Sequence, residues 1–469
     1  MDAVVRWLPA GCSINNSGSL LSAPIARPFV CRLDDFKSGN DTPSNLLERC
    51  LATIAEIEPQ VHAFVHYDAS RARQAAALAT ARWRDGKPLS RIDGMPVGIK
   101  DIIETFDMPT QMGSAVYEGW CSHRDAASVS ALREAGAVLV GKTVTTEFAM
   151  SVPGPTRNPW DLRRTPGGSS SGSAAAVCSG MVSAGIGTQV LGSILRPASF
   201  CGCVGFKPSL GAINRGGTHD GASQSVHGVL AASIDDAWVL LREIANRVGG
   251  DPGYPGLIGP DHTPAPTKPR RLAVLETPGW AKAASSAVEA FESAASRLAR
   301  SGVELMRRKD HPVIERVEEA IMRAMPVTQL VNGWEGRWPL NAYRARDASK
   351  LSVFALQRLA RAEKMTLDDY RDALAERARI RTIYASLAAH CDAAICLSAT
   401  GPAPLGIDST GDPAFVVAGS CLGVPAISLP VLTVDGLPLG LQLLGFLDAD
   451  ADLIAAARWV EQWLTTAIQ

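Results

Sequence analysis

The chain has 469 residues, 46% of them hydrophobic and 20% charged, with a net charge of −1. This composition supports a large buried core and excludes a disordered chain. Charges of both signs are interspersed and the one basic run, "KPRR" at 268–271, is short, which argues against a nucleic-acid partner.

The opening "MDAVVRWLPAGCSINNSGSLL" lacks the basic start, apolar run and cleavage site of a secretory signal. No window approaches the ~18 apolar residues of a membrane span. The ten cysteines have neither framework nor zinc-finger spacing. The expected setting is cytoplasmic, with reduced, mostly buried cysteines, no metal, no cofactor and no membrane.

Along the chain, Thr42-Pro43 reads as an N-cap with proline at the first helical position, and Leu47, Cys50, Leu51, Ile54, Ile57 and Val61 follow at helical spacing. "MPVGIKDII" (95–103), apolar and β-branched after a glycine turn, predicts a strand. "SVSALREAGAVLVGKT" (128–143) predicts a helix stopped by Gly136, then a buried strand "AVLV". "SAAAVCSGMVSAGIG" (173–187) has almost no polar face and predicts a closely packed helix, with Ser173 suited to its N-cap. A Pro- and Gly-rich connection follows at 248–271. Then "RLAVLE", "SSAVEAFESAASRLARSG" and "VELMRR" give a βαβ pattern. A helical stretch at 350–390 leads into the strand-like "DAAICLSAT", "PAISLPVL" and "PLGLQLLG", and "DADLIAAARWVEQWL" is a last amphipathic helix. This alternation predicts an α/β protein with a largely covered sheet. The expected organisation is a single domain over 1–469.

Two motif matches fail on context. "GAVLVGKT" (136–143) fits the phosphate loop, but its four intervening residues look like a strand and a helix precedes it. "GSSSG" (168–172) fits the nucleophile elbow with Ser170 as nucleophile. What precedes it, "TRNPWDLRRTPG", has two prolines and three arginines and cannot be a central strand. His219, His227, His262, His311 and His390 each offer a base, and nothing in the sequence singles one out.

Lysine is the other available base, provided that burial keeps it neutral. Lys100 lies within "PVGIKDII", where alternation puts Gly98, Lys100 and Ile102 on one face and Ile99 and Asp101 on the other. Bringing a lysine from about 10.4 to about 7 takes roughly 4–5 kcal/mol of differential environment. A solvated edge-strand lysine is the plainer reading of this feature taken alone.

Several long blocks together change the balance. "GMPVGIKD" (94–101), "AGAVLVGKTVTTEFA" (135–149), "NPWDLRRTPGGSSSGSAAAV" (158–177), "GSILRPASFCGCVGFKPS" (192–209), "GDPAFVVAGSCLGVPAISLP" (411–430) and "GLPLGLQLLG" (436–445) resemble, in order, the amidase signature family of Ser–cisSer–Lys hydrolases. The resemblance covers most of the chain, with its core at about 90–210. It implies the amidase signature fold, a large mixed β-sheet covered by helices on both faces. It implies Lys100 as base, Ser169 as the bridging serine held in a cis peptide, and Ser193 as nucleophile. The backbone of Gln189, Val190, Leu191 and Gly192 is then expected to hold the oxyanion.

The chain departs from the family pattern at two places. Val190 and Leu191 replace a hydroxyl-bearing and a small residue, and a turn needing positive φ would strain Leu191. Arg196 stands third after Ser193 rather than second, which looks like the malonamidase-like variant and implies a pairing with a substrate carboxylate. The plainer reading is a buried arginine bonding loop carbonyls beside Pro197.

The resemblance implies a stand-alone amidohydrolase acting on a small-molecule amide, with carbamates and aryl anilides inside the class, and a possible homodimer. Alternatives are the amidase subunit of a tRNA-dependent amidotransferase and a non-catalytic relative. Substrate choice is expected from the N-terminal region and from about 310–390. Phe148, Met150 and Trp160 are candidate pocket residues, with core packing the plainer reading for each.

Overall fold

A computed structural model of the chain describes residues 23–309 and 311–466. The N-terminal stretch read above for a secretory signal lies outside them. Among the described residues eleven strands form one sheet: β1 (Phe64–Tyr67), β2 (Pro96–Lys100), β3 (Val138–Thr143), β4 (Ala184–Gln189), β5 (Val204–Lys207), β6 (Val226–Ala231), β7 (Arg271–Val274), β8 (Glu304–Met306), β9 (Ala393–Leu397), β10 (Ala426–Val434) and β11 (Leu437–Leu444). Their spatial order is β1-β3-β2-β4-β6-β5-β10-β11-β9-β7-β8. The sheet is mixed: β3, β2 and β4 run parallel on one side, β8, β7 and β9 on the other, and antiparallel pairs join the two groups.

The central strands are buried on both faces, which explains why their sequences read as continuous apolar runs rather than alternations. β2 ends at Lys100, so the lysine closes the strand instead of sitting within it. Residues 138–143 of the phosphate-loop match are β3, and their backbone is used in sheet pairing.

The first predicted helix is Pro43–Val61, where the Thr42 side chain accepts from the Asn45 N–H. The helix predicted over 173–187 is corrected by the structure: it spans only Ser171–Cys178 and ends before Gly180 in the left-handed region, and the remainder becomes β4. Small residues do serve close packing here. A Cβ on Gly187 of β4 would stand 2.8 Å from Ser170 Oγ, so glycine lets the serine loop lie against the strand. Ser170, not Ser173, is the N-cap residue; Ser173 lies inside the helix with its Oγ 2.6 Å from Thr143 Oγ1. The helical region predicted from about 350 begins earlier, with helices Pro312–Ile321 and Ala324–Asp347 before Val353–Ala362 and Leu367–Ala385. No helix or strand lies between Val248 and Arg271. Among the described residues no helix is long and apolar enough to cross a membrane.

Candidate active site

The parallel strands β2 and β4 are neighbours, with Ile99 opposite Ile186, so their carboxyl ends meet. Open α/β sheets collect functional groups at such ends. Lys100 closes β2 and Gln189 closes β4. Lys100 Nζ lies 2.7 Å from Ser169 Oγ and donates to Thr188 Oγ1 at 2.9 Å. The amine is fully buried, and its pKa is brought down to about 7, mainly because burial disfavours the charged form; the Asp220 charge opposes this. Among the described residues no carboxylate forms an ion pair with it; the neighbouring Asp101 pairs instead with Lys142, at 3.3 Å.

The Gly168–Ser169 peptide is cis. The loop is tied to the next element by the Ser170 N–H, which donates to the Ser193 carbonyl at 3.2 Å. Lys100 and Ser169 are thus in contact, and Ser193, on the adjoining turn, is one of the residues lining a cavity. None of the five histidine side chains hydrogen-bonds Lys100, Ser169 or Ser193, although His219 lines the same cavity as Ser193. His219 pairs with Glu104 at 2.9 Å, and His227 is buried, 2.7 Å from Thr218 Oγ1, with its pKa lowered to about 3 by desolvation.

The turn from Gln189 to Ser193 is held by side chains. Gln189 Oε1 accepts the N–H groups of Ile194 and Leu195 at 2.9 and 3.1 Å, and its Nε2 donates to Ser420 Oγ at 3.0 Å. None of Gln189, Val190, Leu191, Gly192 and Ser193 has positive φ, so Leu191 is accommodated without the strain its size threatened. A Cβ at Gly192 would meet Val416 Cγ2 at 2.2 Å, so this position requires glycine for space.

Arg196 is buried at 6% exposure, and its Nη2 donates to the Gly168 carbonyl at 2.8 Å and to Thr410 Oγ1 at 2.9 Å. Burial lowers its pKa to about 10, with Asp412 opposing. In this arrangement the guanidinium braces the serine loop, the plainer of the two readings, while also touching the cavity wall.

The cavity has a volume of about 290 Å³. Val190, Leu191 and Ser193 line one side, and Phe148 and Tyr343, stacked at 4.1 Å, line another. Met150 also lines it, but Trp160 does not: its indole N–H donates to the Cys201 carbonyl at 2.8 Å. Asp220 and Arg358 both face the cavity, and neither has an ion-pair partner among the described residues. A larger groove of about 700 Å³ beside Leu33, Trp83 and Arg247 contains none of these groups. Among the described residues no cluster of three or more His, Cys, Asp or Glu side chains is placed to hold a metal ion.

Sequence reading missed Thr188, Asp220, Gln224, Tyr343, Arg358 and Ser420. Thr188 carried a usable signal, since it lies next to Gln189 on a strand flanking Lys100. Ser420 lies inside the 411–430 block without being singled out there, and Asp220, Gln224, Tyr343 and Arg358 come from segments outside the blocks and have no local signature.

With this geometry in hand, comparison with known proteins gives the class. The sequence profile of the Amidase family matches residues 45–454, and the chain belongs to that family. It is 32% identical over 468 aligned residues to a glutamyl-tRNA(Gln) amidotransferase subunit of Chloroflexus aggregans, covering 91% of this chain and 95% of that protein. To the subunit of the same name from Anaeromyxobacter sp. strain K it is 47% identical over 216 residues, a match spanning 45% of this chain and only 43% of that relative. Among solved structures, an amidase superposes with a TM-score of 0.81 at 27% identity, covering 93% of this chain and 99% of that one.

Proposed function

We propose that this chain cleaves the C–N bond of a carboxamide through an acyl-enzyme on Ser193. The observation that carries the reading is the fully buried Lys100 amine, within 2.7 Å of Ser169 Oγ and without a carboxylate partner among the described residues. A lysine kept near neutrality accepts the Ser169 hydroxyl proton while Ser169 takes the proton of Ser193. Ser193 Oγ attacks the carbonyl, and the oxygen that gains charge is held by backbone N–H groups of the Gln189–Gly192 turn. The relay returns a proton to the leaving amine and then activates water to release the acid. A family relative with no catalytic activity is disfavoured by the relaxed φ at Leu191.

For the substrate, two readings divide. A stand-alone hydrolase of small amides, carbamates or anilides is the first. The second is the glutamine-hydrolysing subunit of a tRNA-dependent amidotransferase, and the full-length match to proteins of that name favours it over the first. A cavity of about 290 Å³ that holds both Asp220 and Arg358 suits a small amide carrying a cationic and an anionic group, a description that includes glutamine. The purified chain should be assayed on glutamine, neutral amides, carbamates and anilides beside Ser193→Ala. Turnover by the chain alone that Ser193→Ala abolishes supports the first reading. Glutaminase activity appearing only with added partner subunits supports the second. Turnover that survives Ser193→Ala overturns the acyl-enzyme.

A further inference from the structure

Two peptide units of the turn after β4 are pinned from behind. The Val190 carbonyl accepts from Gln224 Nε2 at 3.0 Å, and the Leu191 carbonyl accepts from Ser420 Oγ at 3.0 Å. Both units are trans, and a trans peptide is planar with its N–H directed opposite to its C=O. Fixing the first carbonyl therefore fixes the N–H of Leu191, and fixing the second fixes that of Gly192. Among the described residues, neither N–H has an acceptor within the chain. Val190 and Leu191 lie on the cavity wall, whereas Gln224 and Ser420, each 1% exposed, stand behind it.

We propose that Gln224 and Ser420 are positioning residues that aim the Leu191 and Gly192 amides at the oxygen of the tetrahedral intermediate; this rests on the acyl-enzyme reading above. Two features carry the assignment. The Gln224 side chain faces the Val190 carbonyl, which can only accept, with Thr328 Oγ1 also at 3.2 Å, so its NH₂ group points this way. Its own carbonyl is left buried without a partner among the described residues. Leaving an acceptor unpaired costs about 1–3 kcal/mol, and the alternative orientation would set two carbonyls face to face.

Gln224, through Thr328, and its neighbour Ser223 join the turn to the helices beyond the cavity. The Ser223 N–H donates to Glu335 Oε2 at 2.7 Å, Arg377 Nη1 donates to Ser223 Oγ at 2.9 Å, and Thr328 and Glu335 belong to the helix Ala324–Asp347. That helix also lines the cavity through Asn332, Leu340 and Tyr343. The direction of the Leu191 amide is thereby coupled to the wall that receives the substrate.

The test uses the full chain and p-nitrophenyl butyrate, an activated ester whose turnover needs acylation but no specific leaving-group contacts. Loss of turnover in Ser193→Ala is the control for the acyl-enzyme itself; if turnover survives there, that reading falls and this one with it. Given that control, Gln224→Leu and Ser420→Ala should each lower kcat about tenfold to a hundredfold, below the full loss of one oxyanion donor. KM should stay within about twofold, because a group acting only in the transition state leaves ground-state binding unchanged. Ser420→Thr, which keeps the hydroxyl, should restore most of kcat. Unchanged kcat in both variants overturns the proposal. So does a parallel loss of kcat, KM and thermal stability that Ser420→Thr does not restore, since that marks a packing role.

Discussion

Lys100 Nζ and Ser169 Oγ stand 2.7 Å apart at the end of a fully buried strand, and Thr188 Oγ1, 2.9 Å away, is the amine's other side-chain partner. Such an amine is protonated below about 7 and free above it. In the proposed relay the active form is the neutral one, so kcat/KM should rise about tenfold per pH unit up to that value and then level off. A pH profile of the purified chain checks this. A rate that falls as pH rises through 7 contradicts a lysine base.

Lys100→Arg keeps the positive charge but cannot supply a free base, because a guanidinium stays protonated. Ser169→Ala removes the bridge while leaving Lys100 and Ser193 in place. Each should reduce kcat by about 10²–10⁴. Steady-state rates, with circular dichroism confirming the fold, decide the outcome, and near-normal rates in either variant break the relay.

Arg196 braces the carbonyl of Gly168 and the hydroxyl of Thr410. Arg196→Leu should therefore destabilise the chain by about 1.5–3 kcal/mol for each lost hydrogen bond to the charged group. It should slow neutral and carboxylate-bearing amides equally. Chemical denaturation and paired substrates measure both. A selective loss on the carboxylate-bearing amides would restore the substrate-carboxylate role.

Gly192→Ala would drive a Cβ into Val416 Cγ2, 2.2 Å away. The expected overpacking cost is about 1–3 kcal/mol, with a further loss of activity from the displaced turn. Val416→Ala in the same chain should recover part of both losses, because it removes the atom in the way. Denaturation midpoints and rates of the single and double variants form the check, and no recovery in the double variant sinks the steric account.

Much of this architecture was legible in the sequence. Helix Pro43–Val61 follows from its cap and apolar spacing, and the strands around Lys100, Ala393 and Leu437 follow from their apolar runs. The small-residue segment after the serine loop misled, because alanine and glycine fit a packed helix and a crowded central strand equally well. Only the turn at Gly180 divides the helix ending at Cys178 from β4. The resemblance pointed to Lys100, Ser169 and Ser193 through local blocks.

By itself the sequence determined the α/β class, the apolar strands and the run of small residues around the serines, since each depends on side-chain size and spacing within one segment. Tertiary structure alone decided that Lys100 is dry, that Arg196 braces a loop, that Leu191 is unstrained, and that Gln224 and Ser420 meet one turn from widely separated parts of the chain. Desolvation and hydrogen-bond direction are properties of what surrounds a group in space, and no local pattern records which distant residues supply those surroundings.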